Sequence, residues 1–95
     1  MEGGLDLKTN DIYRLALERY GIGAQCVVAV EELSELQKEL CKMLRGSGDR
    51  SALAEEIADA KIMIEQVIKG FGLKQETEEW RRLKLERLER RLSDA

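Results

Sequence analysis

Histidine and proline are missing from the chain, aromatic residues are scarce at 4%, and cysteine occurs only as Cys26 and Cys41. Without histidine there is no ordinary zinc site, no Glu-x-x-His carboxylate di-iron site, and no Ser-His or Cys-His nucleophile. Chemistry in this chain has to run on carboxylates, amines and a hard metal ion. The lack of proline and the few aromatics exclude the turn-rich pattern of an all-β domain and favour long helices. On one helix, Cys26 and Cys41 would stand roughly 22 Å apart at about 1.5 Å per residue, too far for a disulfide within the chain. No segment has the length and hydrophobicity of a membrane span or a secretion signal, and Met1 to Asn10 holds no apolar run. The expectation is therefore no membrane partner and a cytoplasmic location. Positive charge is not in excess either: 16 basic against 19 acidic residues give -3, which removes nucleic acid as the default partner.

What is present is a sequence 43% hydrophobic and 37% charged over 95 residues, enough for a single domain, 1–95, with a modest core. A partner subunit would relieve that shortage of core. Glycines punctuate the chain at Gly21 to Gly23, Gly46 to Gly48 and Gly70 to Gly72, and glycine is the usual residue just past a helix C-terminus. The breaks predict an all-α fold of four helices. The first runs from about Asn10 to Tyr20, capped by Thr9 or Asn10, with Ile12, Leu15 and Ala16 inward. The second and third, about Ala24 to Arg45 and Ser51 to Lys69, form a central antiparallel hairpin across the polar loop Gly46 to Arg50. The fourth, about Gln75 to Leu92, sets Trp80, Leu83, Leu85, Leu88 and Leu92 among charges of both signs, so no continuous basic stripe for nucleic acid arises.

Carboxylates fall at informative places on the two hairpin helices. At about 100° per residue the third helix has an apolar arc of Leu53, Ile57, Ala60, Ile64, Val67 and Phe71, and Glu56 points into it with Asp59 at its edge. The second helix carries a stripe of Cys26, Ala29, Val30, Leu33, Leu36, Leu40 and Leu44, bordered by Gln25, Glu32, Glu35 and Glu39. The pairs Glu32/Glu35 and Glu56/Asp59 have the i, i+3 spacing that sets two carboxylates on one helical face. Two such pairs on facing helices make an all-oxygen cage suited to Mg²⁺, with Mn²⁺ as the second choice. Glu32 with Glu35 alone would pass for surface decoration. Glu56 on an apolar arc needs a hydrogen bond or a cation, the latter either a metal or an Arg or Lys from the fourth helix.

These residues resemble the MazG-like, all-α nucleoside triphosphate pyrophosphohydrolases, whose hallmark is EExxE followed by ExxD. Here the halves read Glu31-Glu32-Leu33-Ser34-Glu35 and Glu56-Ile57-Ala58-Asp59, and the similarity extends over roughly Gly21 to Leu92. The resemblance implies that Glu32, Glu35, Glu56 and Asp59 bind the metal and carry catalysis, with Glu31 auxiliary. It also implies hydrolysis between the α and β phosphates of a nucleoside triphosphate, as housecleaning of the nucleotide pool. The hairpin would be completed into a four-helix bundle by oligomerisation, as a homodimer or homotetramer. Lys84 is the favoured phosphate contact because the family tends to carry a basic residue in the last helix. Lys61 and Gln25 are further substrate-binding candidates, the first for its charge beside the second motif and the second for its amide on the side of Glu32. The general base is one of the four acids or Glu39. Two rivals stand beside this reading: a noncatalytic helical interaction module, in which Glu56 pairs with a protein cation, and a same-fold hydrolase of another pyrophosphate, such as a phosphoribosyl-ATP type substrate.

Overall fold

A computed structural model describes the backbone of residues 2–94 and the side chains of residues 8–94. The described residues form three helices and no strand: α1 (Glu2–Leu44), α2 (Arg50–Phe71) and α3 (Lys74–Asp94). Within α1 the first two expected helices are distinct segments that meet at the expected glycine, Gly21, whose φ of 84° and ψ of 157° lie outside the helical region. A side chain rarely adopts that backbone conformation, which is why the interruption falls on glycine. It reverses the chain along α2. Before it, Tyr13 reaches Glu65 and Leu17 lies beside Gly70; after it, Ile22 touches the same Gly70 and Gln25 reaches back to Gln66.

Thr9 and Asn10 lie inside α1 and do not cap it, since the helix already starts at Glu2. Their weak helix propensity is too small a cost to end a helix by itself. The inward side of this first segment also differs from expectation. Tyr13 is the buried residue, while Ile12 and Leu15 are exposed.

The hairpin ends are built by local chemistry. Gly46, at φ 79°, donates its N–H to Met43 O at 3.1 Å, and Ser47 N–H donates to Lys42 O at 3.0 Å, so the last carbonyls of α1 are satisfied by a left-handed cap. Asp49 then caps α2, its carboxylate accepting from Ser51 N–H at 3.1 Å. Gly72 and Leu73 close α2 in the same manner, through Lys69 O and Ile68 O.

The seam between α1 and α2 holds Gln25, Ala29, Glu32, Leu36 and Glu39 on one side and Ala52, Glu56, Asp59, Met63 and Gln66 on the other, all buried or half-buried. This corrects the expected core in part. Ala29 and Ala60 of the expected stripes are buried and Leu36, Leu53 and Val67 half-buried, but Val30, Leu33, Leu40 and Leu44 of α1 and Ile57, Ile64 and Phe71 of α2, turned to one flank of the seam, remain exposed. Rotating the helices to bury those stripes within the chain would turn the carboxylates and amides outward, and the Gln25–Gln66 bond would be lost. Helix α3 packs only against the end of α2 and buries none of its residues. Its surface is stitched by Arg82, which bonds Glu79 and Glu86 at 2.6 Å each, exposed pairs that solvent and salt largely screen.

Candidate metal centre

The i, i+3 spacing on α2 brings Glu56 and Asp59 to the seam together, and the antiparallel register sets Glu32 of α1 against them. One carboxylate oxygen from each of Glu32, Glu56 and Asp59 lies within 4.8 Å of the others. The register is fixed by a buried amide pair. Gln25 Nε2 donates to Gln66 Oε1 at 2.5 Å, and one heptad along each helix from that pair Glu32 meets Asp59. A heptad is close to two helical turns, so polar groups at this spacing recur on one face.

The electrostatics of the three acids is that of a site short of positive charge. Burial pushes the Glu32 carboxyl above its ordinary range, and the nearby charge of Asp59, a hydrogen bond to it, and the charges of Glu35 and Glu31 push the same way. Glu56 is raised by burial first, then by Glu32, Asp59, Glu35 and Glu55. Glu56 Oε2 is buried with no hydrogen-bond partner. Among the described residues no Lys or Arg forms an ion pair with Glu32, Glu56 or Asp59. A buried carboxylate in this state is costly unless it takes a proton or a cation is supplied from outside the chain. The donor set, three carboxylates with no nitrogen or sulfur, is that of a hard divalent cation.

Other residues singled out in the sequence are placed differently. Glu35 is exposed and outside the close trio, yet near enough for its charge to act on both Glu32 and Glu56. Gln25 is 6% exposed and its amide is engaged by Gln66, so it belongs to the seam and does not face a ligand. Glu39 is buried and paired with Lys42 at 3.4 Å. Lys61 is exposed, and Lys84 sits 5.8 Å above the Trp80 ring on α3, a helix that makes no packing contact with α1; neither is brought to the acids. The role of Gln66 was not legible beforehand. The signal available was its position seven residues beyond Asp59 on the same face.

Comparison of the chain with protein-family models, with curated proteins and with solved structures gives no match.

Proposed function

We propose that the chain is a Mg²⁺-dependent nucleoside triphosphate pyrophosphohydrolase, releasing a nucleoside monophosphate and pyrophosphate, and that it works as a homo-oligomer. The observation that carries this reading is the unpartnered, buried Glu56 Oε2 inside a three-carboxylate cluster that no protein cation neutralises. The Arg or Lys partner that an interaction module requires for Glu56 is absent among the described residues. The EExxE and ExxD motifs add the reaction class.

In this mechanism Glu32, Glu56 and Asp59 would hold the divalent cation, with exposed Glu35 beside them. When bound, the cation supplies charge neutralisation for the phosphates and makes water more acidic. The chain's own part is to fix three carboxylates by helix register and to keep a proton acceptor beside the reacting water. Glu35 suits that second task, being exposed at the mouth, whereas Glu39 is occupied by Lys42. Hydrolysis joins the water oxygen to the α phosphorus, the α–β bridging oxygen leaves with pyrophosphate, and the water proton passes to the carboxylate. No covalent nucleophile is required.

The deciding experiment is pyrophosphate release from a panel of canonical and modified nucleoside triphosphates, with Mg²⁺ or Mn²⁺, for the parent chain and Glu56→Gln. Metal-dependent turnover that falls at least about 100-fold in the variant is expected, the scale of losing a group that stabilises the transition state. No turnover by a folded parent across the panel would end the reading as a nucleoside triphosphate hydrolase.

A further inference from the structure

We infer that the segment of α1 before Gly21 is a hinged strap across the mouth of the carboxylate site, pinned by the bond from Tyr13 to Glu65, and that its opening gates passage of the cation. The inference concerns regulation of the proposed metal centre and rests on the metal part of that reading, not on the reaction.

The mouth is located by the charges that reach it. Glu31, Glu35 and Glu55 are exposed; Glu31 and Glu35 act on Glu32, and Glu35 and Glu55 act on Glu56. Glu31 and Glu55 each stand one residue before a seam acid, about 100° round the helix. Because α1 and α2 are antiparallel here, an equal turn in each helix's own direction leads to the same side of the hairpin, so the trio opens on that flank. Glu65 occupies the same flank, one residue before Gln66 of the seam, and accepts the hydroxyl of Tyr13. The N-terminal segment therefore lies on the side where the acids open.

Its direction carries it towards them. Going back along the segment from Leu17 to Tyr13 also goes back along α2 from Gly70 to Glu65, so the two run parallel. Both rise about 1.5 Å per residue, and α1 is helical from Glu2. At the 52-residue separation of Tyr13 and Glu65, the backbone of about residues 3–7 comes level with Glu56 and Asp59. Movement is built in at Gly21, the non-helical break in α1. Arg14 bonds Asp11 at 3.3 Å and Glu18 at 3.0 Å within the segment, so it turns as one rod. Tyr13 is buried, whereas Ile12 and Leu15 on the outer side are exposed. An open cleft lined by Arg14, Leu17, Glu18, Ile22, Lys69 and Gly70 undercuts the hinge, and Val28 and Ile62 on the acid flank stay exposed. The segment thus bridges the flank without filling it. Glu65 is itself exposed, so water competes for the bond and the pin can open.

A gate has a kinetic signature that a merely structural contact lacks. Opening more often speeds entry and exit alike and leaves affinity unchanged, because the strap covers the empty and the occupied site equally; a damaged site instead speeds exit and weakens binding. Mn²⁺ is the probe, with both rates read by stopped-flow exchange with a fluorescent chelator, for the parent chain, Tyr13→Phe, Glu65→Ala and Glu65→Gln. Tyr13→Phe and Glu65→Ala remove the pin without touching the acids. Each should raise both rates at least about threefold, the scale of one exposed hydrogen bond, with Kd within about twofold of the parent. Glu65→Gln keeps an acceptor for the Tyr13 hydroxyl and should exchange the cation like the parent. Helicity by circular dichroism establishes that the variants are folded. Unchanged rates in both release variants, faster exit with weaker binding, or a Glu65→Gln that behaves like Glu65→Ala would overturn the gate and leave the metal centre standing. A parent chain that binds no Mn²⁺ would overturn the metal centre and the gate together.

Discussion

Glu56 shows how much a single oxygen can decide. Its Oε2 is buried without a partner, and its carboxyl and that of Glu32 are held above their ordinary range, by burial first and then by neighbouring acids. Raised folded-state values have a definite sign: their contribution to stability is present below the unfolded-state value and is lost as pH rises through the folded-state value. Stripped of divalent ions by a chelator, the parent chain should therefore gain stability relative to Glu56→Gln as pH is lowered from 7 towards 5. Urea midpoints at successive pH values give the answer, and a difference that is flat or grows with pH would remove the electrostatic account of the site. Adding Mn²⁺ at pH 7 should stabilise the parent and not the variant, because binding only the folded state raises its stability by mass action. Tyr13 illustrates the same principle away from the site. Burial, then a hydrogen bond to Glu65 and its charge, push its hydroxyl up to about 12.

At the scale of elements, the seam of the hairpin is unusual in being polar along its length. Gln25 with Gln66, Glu32 with Asp59, and buried Glu39 recur every heptad, and only small or apolar residues such as Ala29, Ala60 and Met63 fill between them. A buried amide pair contributes modestly to stability but strongly disfavours other registers, since a slip leaves both amides unsatisfied. Gln66→Leu should cost about 1–3 kcal/mol by stranding the Gln25 amide, and the Gln25→Leu/Gln66→Leu double variant should recover most of that loss. Recovery of stability should not bring back metal affinity, because the device that holds Glu32 opposite Asp59 is gone. Calorimetric titration with Mn²⁺ distinguishes the two quantities; a double variant that binds metal like the parent would show that packing alone sets the register. The reversal at Gly21 belongs to this scale too, since it folds the first segment of α1 along α2 and buries Tyr13.

The whole molecule has too little interior for its length. Only Tyr13, Ala29, Ala60 and Met63 are buried apolar residues among those described, and α3 presents Trp80, Leu85, Leu88 and Leu92 to solvent. An isolated helix of this size is marginal in water without tertiary packing. Stability should accordingly depend on concentration. For a dimer that unfolds to separate chains, a tenfold increase in protein contributes about 1.4 kcal/mol, and each kcal/mol moves Tm by about 4–8 °C in a domain of this size. Scanning calorimetry over two decades of concentration reads this directly, and a constant Tm would mean that the single chain folds on its own.

The sequence by itself determined the all-helical class, the hairpin loops and the placing of Glu56 and Asp59 on one face of α2. Glycine punctuation, Asp49 ahead of an apolar-periodic run, and i, i+3 spacing are local facts that tertiary packing does not need to supply. It also singled out Glu56 as an acid on the inner side of its helix, where the structure half-buries it beside Glu32 and Asp59. Only the tertiary structure decided which part of each apolar arc meets the other helix: Ala29, Leu36 and Ala60 turn inward, whereas Val30, Leu33, Ile57 and Ile64 remain exposed. Periodicity reports that a helix has an apolar side but not what that side meets: the stripes of Leu33 and Ile64 look like an intrachain core until Gln25 and Gln66 are seen to occupy the seam. The separation of Lys84 from the acids, the engagement of Gln25, and the meeting of Glu32 with Asp59 all depend on distances between helices. Spacing along one helix cannot contain them.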